Sequence, residues 1–152
     1  MEFQNSWKVG DGPTNEDEKL KVYYDEVGGL FFTEFNTTQG QRGKLRALDA
    51  IRFPDLETGI YKSSGNYDTI RNLIPEHSVE LIEVHKWGFY VLGQLIGKYR
   101  ITEKYWDPKE AKKVLITTTA SNYHPENNPD PPTREVFDDF EIDIFVPESK
   151  AK

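Results

Sequence analysis

The sequence predicts an α/β fold: one mixed β-sheet with helices packed against it. Three observations carry that prediction. Segments with helical spacing alternate with short β-branched and aromatic segments. One segment, 79–87, is apolar on both faces, as a central strand is. A long helix-spaced segment links it to the next strand, as a crossover does. A length of 152 residues fits one domain with one core.

Residues 1–13 read as an irregular N-terminal arm, 14–147 as a single domain and 148–152 as a tail. A helix begins at Thr14 or Asn15, either of which can cap it, and its first turn, Glu16-Asp17-Glu18, suits the helix dipole. Leu20, Tyr23, Tyr24 and Val27 fall on one face, and Gly28-Gly29 stops the helix. Residues 30–37 are a first strand, 37–44 a turn and 45–53 a second strand ended by Pro54. Residues 54–78 are mixed, with a short helix around 67–73. After the central strand at 79–87, residues 89–106 carry Leu92, Leu95, Ile96 and Tyr99 at helical spacing. Gly93 and Gly97 there suggest close approach of the helix to the sheet. A strand at 112–120, a proline-rich loop at 121–132, a short helix at 133–139 and an alternating strand at 140–146 complete the chain. The first three strands are expected to form a meander, and the long helix to cross to a parallel neighbour.

Composition narrows the function. The chain has no Cys, which rules out disulfides and thiolate metal sites and points to an intracellular, cytoplasmic setting. No apolar run reaches the roughly 18–20 residues of a membrane helix, and the first residues lack the apolar core of a signal peptide. The net charge of −7 argues against coating nucleic acid by charge alone. It leaves room for a local basic strip assisted by bound cations. The three His, at 77, 85 and 124, have no zinc spacing.

Two acids stand out. Asp49 interrupts an apolar strand, and Glu83 does the same in the central one, with Leu81 and His85 on its face. A buried carboxylate needs a partner or a metal. Two from neighbouring strands, with oxygen ligands around them, suit Mg2+ or Mn2+ better than zinc. The competing reading pairs each acid with a Lys or Arg near a strand end. Arg42, Lys44, Arg46 and Arg52 cluster around the Asp49 strand, and Lys98, Arg100 and Lys104 follow on the long helix. They suggest a phosphate-facing strip, and an ordinary charged surface explains them as well. Trp87 and Tyr90 are candidates for stacking on a base, with core packing as the alternative.

The string Asp49 … Glu83-Val84-His85-Lys86 … Gly93-Gln94-Leu95 resembles the D … E-x-K … GQ core of the restriction-endonuclease-like PD-(D/E)xK nuclease superfamily. The element order over 14–146 resembles that superfamily's αβββαβ core. The resemblance implies a metal-dependent nuclease, with DNA favoured over RNA as the target and the choice between them left open by the sequence. It implies that Asp49 and Glu83 hold Mg2+ or Mn2+ and that the Val84 carbonyl adds a ligand. Gln94 would lie near the site, and Glu16 would match the acid that many members place on the first helix. The chain departs from the pattern at His85, where the superfamily usually has Lys, and at Leu48, where its name has Pro. Neutral His85 could take a proton from the attacking water. The alternative is an inactive nuclease-fold protein that binds nucleic acid or a protein partner, and a third reading is an interaction subunit with an acidic groove. By analogy, the chain could form a homodimer, with Phe3 and Trp7 of the arm covering the partner.

Overall fold

The computed structural model describes residues 15–38, 47–117 and 129–147. Helices are α1 (Asn15–Val27), α2 (Tyr67–Leu73), α3 (Phe89–Trp106) and α4 (Pro131–Asp139). Strands are β1 (Leu30–Asn36), β2 (Ala47–Phe53), β3 (Gly59–Lys62), β4 (Ser78–His85), β5 (Glu110–Thr117) and β6 (Ile142–Phe145). The strands form one mixed sheet in the order β3-β1-β2-β4-β5-β6. β1, β2 and β4 are successive antiparallel neighbours, which is the expected meander with β3 and α2 inserted between its last two strands. β4 and β5 run parallel across α3, as the crossover required, and β6 adds a further parallel strand. No helix among the described residues is long and apolar enough to cross a membrane.

Each face of the sheet has its own core. On one, Leu20 and Tyr23 of α1 pack on Phe31, Ala50, Ile82, Val84, Val114 and Ile116. On the other, Val91, Leu95 and Trp106 of α3 meet Phe32, Phe35, Ile51, Leu81 and Leu115, with Phe137 of α4 and Ile70 of α2. These are the two interlocking sets of residues that period-2 strands present to opposite layers.

Several boundaries and one face differ from expectation. β3 lies inside the segment read as mixed. It is four residues long, at the sheet edge and mostly half-buried, so it lacks the apolar alternation that marks a longer strand. α4 begins at Pro131 rather than residue 133. The two prolines occupy its first positions, where the missing N–H costs nothing, and the Asp130 carboxylate accepts from the Thr133 N–H. The buried stripe of α3 is Val91, Leu95, Lys98, Thr102 and Trp106, with Leu92 and Tyr99 at its margin.

Gly93 and Gly97 do not face the sheet. Both are exposed, and a Cβ at either would meet nothing within 4 Å. Their conformational freedom therefore only weakens the helix. Gly93→Ala and Gly97→Ala are each expected to stabilise the protein by about 0.5–1 kcal/mol. Urea unfolding checks this: the midpoint rises while its steepness stays constant.

Candidate active site

The antiparallel ladder between β2 and β4 runs through Arg52↔Glu80, Ile51↔Leu81 and Ala50↔Ile82, and ends there. Beyond it, Asp49 and Glu83 would be the next pair, and the strands part instead. Glu34, across from Asp49 on β1, has φ of 54° and breaks the β1–β2 ladder at the same level. A fork thus opens in the middle of the sheet. The Asp49 carboxylate turns into it, and its Oδ2 accepts from the Val84 N–H at 2.7 Å. In an extended strand the N–H and C=O of one residue leave on the same edge, so the Val84 carbonyl faces the fork too.

Glu83 is buried on the α3 side of the sheet. Its Oε2 accepts from the Lys98 ammonium at 2.5 Å, and that ammonium also donates to the Ala47 carbonyl at 2.8 Å. Lys98 therefore closes the fork from above, tying α3 to β2 and β4 at one point. Burial, followed by the nearby charge of Glu83, pushes the Asp49 carboxyl up to about 7. The Val84 N–H and the Lys98 charge oppose that rise without cancelling it. The site is two carboxylates and one ammonium in a poorly solvated notch, a set that holds a proton or a cation readily.

The other predicted residues are placed as follows. His85 ends β4, half-buried, with its ring 5.5 Å from that of Tyr90. Its Nδ1 lies 3.0 Å from the Lys86 carbonyl, which can only accept; Nδ1 then carries the proton and Nε2 is the basic nitrogen of the neutral ring. Gln94 is half-buried on α3, one turn before Lys98 and on the same side of the helix. Glu16 lies in the first turn of α1, which covers the opposite face of the sheet, and its side chain is outside the described residues. Arg42, Lys44, Arg46, His124, Phe3 and Trp7 also lie outside them. Trp87 is half-buried against the core, Tyr90 is exposed and His77 packs edge-on to Phe53.

The proposed basic strip loses two members. Lys98 is inside the site, and Arg52 is buried on the α1 side, paired with Glu80. Sequence reading placed Lys98 among phosphate-binding surface charges. The spacing that reveals its true position is there: Lys98 is seven residues after Val91 and three after Leu95, on the inner stripe of α3. Among the described residues, no three His, Asp or Glu side chains come together as a metal cluster.

The chain matches no protein-family model, no curated protein and no solved structure.

Proposed function

We propose that this is a metal-dependent nuclease with a restriction-endonuclease-like core, hydrolysing phosphodiester bonds in DNA. The observation that carries the reading is the convergence of Asp49, Glu83 and Lys98 on the fork between β2 and β4. The resemblance asks for a Lys two residues after the second acid. His85 stands there, but an ammonium reaches the same carboxylate from α3. The charge set of two acids and one base is therefore complete although the string is not.

The donor set fits Mg2+ or Mn2+. Asp49 and Glu83 supply hard carboxylate oxygens, and the Val84 carbonyl opens onto the same notch. Burial, followed by the charge of Glu83, raises the Asp49 titration, and a cation in the notch would offset that rise. Such an ion, when bound, acidifies a coordinated water and offsets charge on the phosphoryl oxygens. The chain's own residues do the rest. Lys98 holds the Glu83 carboxylate in place and balances its charge. His85, through Nε2, takes the proton of the attacking water as the new O–P bond forms and the bond to the leaving oxygen breaks.

One observation favours the alternative, a nuclease fold that binds without cutting. Both acids already have protein partners, Val84 N–H for Asp49 and Lys98 for Glu83, so the notch is satisfied by the chain itself. A cleavage assay separates the two. Single-stranded, nicked, branched and linear duplex DNA are incubated with Mn2+ or Mg2+, beside Asp49→Ala and Glu83→Ala. The nuclease reading expects metal-dependent cutting that falls at least about 100-fold in each variant, a typical cost of losing electrostatic stabilisation at the reacting centre. It also expects Mn2+ to raise the melting temperature of the parent protein but not of the variants. No cutting and no thermal shift would leave the binding reading.

A further inference from the structure

Three features of the described residues remain unused by this reading: the exposed glycine face of α3, the buried Thr117 hydroxyl with no partner, and the exposed head of α3. The last leads furthest. Phe89 and Tyr90 open α3 side by side and are 66% and 68% exposed; Tyr105, near the other end of the helix, is 66% exposed. Their position is held by the backbone. Gly88 has φ of 149°, a conformation L side chains rarely adopt, and nothing would crowd a Cβ there. The glycine thus serves the turn by which the chain leaves β4 and presents two rings to solvent. Exposing two adjacent aromatics forgoes burial energy that either would gain in the core.

The surroundings define what would cover them. The His85 ring lies against Tyr90, and the two form a ledge beside the exposed Phe89. Lys86 beside it is exposed. The first turn of α3 has no acid and no side-chain cap, so its leading N–H groups are open to an anion. The ledge continues directly into the proposed catalytic notch, because His85 is two residues past Glu83 on the same face of β4. Flat, sequence-indifferent aromatic surface beside cationic groups is how unpaired bases and their phosphates are held. A paired base hides its faces in the helical stack and could not use it.

We propose that the ledge formed by His85, Phe89 and Tyr90 stacks unpaired bases, so that the site takes single-stranded DNA or a single-stranded extension next to a duplex. This rests on the nuclease reading for the direction of the strand, but its test does not need cutting. The affinity of the full chain for a labelled single-stranded 12-mer and for its duplex is measured by fluorescence anisotropy, with the divalent cation chelated. The proteins are the parent, the Phe89→Ala/Tyr90→Ala double variant and Tyr90→Phe. Both substituted side chains are exposed, and an unchanged melting temperature confirms the fold.

The parent is expected to prefer the single strand. The double variant should bind it at least about tenfold more weakly, with duplex affinity unchanged, and Tyr90→Phe, which keeps the ring, should retain the parent's affinity. Equal loss for both DNA forms, or no loss in the double variant, would overturn the ledge. So would a parent that binds neither form. Ring-dependent binding without any metal-dependent cutting would uphold the ledge and remove the nuclease; cutting that ignores the rings would do the reverse.

Discussion

Arg52→Met is expected to destabilise the protein by about 3–5 kcal/mol, the usual cost of breaking a buried ion pair from one side. Arg52 is 8% exposed on the α1 face of the sheet. Its Nε donates to the Gly28 carbonyl at 2.7 Å and its Nη2 to the Val27 carbonyl at 3.0 Å. Its Nη1 pairs with Glu80 at 2.9 Å, and the Tyr23 hydroxyl donates to the other Glu80 oxygen at 2.7 Å. One guanidinium thus ends α1, complements the negative end of its dipole and neutralises an acid on β4. Methionine fills much of the same volume but leaves two carbonyls and a carboxylate with too few donors. Gly29 leaves no slack for rearrangement, since a Cβ there would lie 3.0 Å from Arg52 Nε. Urea unfolding of Arg52→Met, Glu80→Gln and the double variant measures both the loss and the coupling. A loss under about 1 kcal/mol would show the pair to be as weak as one on the surface. The network lies across the sheet from Asp49 and Glu83, so its loss should lower stability without altering metal response at temperatures where the variant is folded.

The layer order was legible because it depends on patterning that a few residues carry. Leu20, Tyr23 and Val27 mark the inner side of α1, and the doubly apolar run of β4 marks the centre of the sheet. Asp49 and Glu83 were legible for the same reason in reverse, since a carboxylate in an apolar strand has to be compensated. Their compensation was hidden. Lys98 and Arg52 are long cations whose charge suggests a surface, and each is buried because a specific acid 15 or 28 residues away in sequence meets it. The periodicity of α3 already put Lys98 inward. Residue type and residue position disagreed there, and position was right. Glu34 carries no such signal. Its φ of 54° accompanies the loss of one pair from the β1–β2 ladder, which resumes at Phe35 and Leu48, and no local pattern encodes that. β3 is too short and too mixed to announce itself, and the ammonium that meets Glu83 comes from α3 rather than from a neighbouring position on β4.

The electrostatics of the fork lead to the other large expected effect, a stability that falls as pH rises from about 4 to about 7. An ordinary Asp has its carboxyl at 3.8; Asp49 is pushed up to about 7 by burial and by Glu83. Between those values the folded protein holds a proton that the unfolded chain has released. The stabilisation is therefore complete below about pH 4, is lost progressively towards pH 7 and does not return above it. At 1.36 kcal/mol per pKa unit the loss is on the order of 4 kcal/mol. Most carboxylates drive stability the other way over this range, so the difference between parent and Asp49→Asn isolates the group. Asparagine can keep the acceptor for the Val84 N–H and carries no charge. The variant should match the parent near pH 4 and exceed it by several kcal/mol at pH 8. A cation held by the two acids would lower the Asp49 titration and close that gap. Adding Mn2+ at pH 8 is then expected to raise the melting temperature of the parent towards that of the variant, while leaving the variant where it is. If parent and Asp49→Asn instead keep a constant difference from pH 4 to pH 8, Asp49 is ionised throughout, and Lys98 neutralises the notch without a metal.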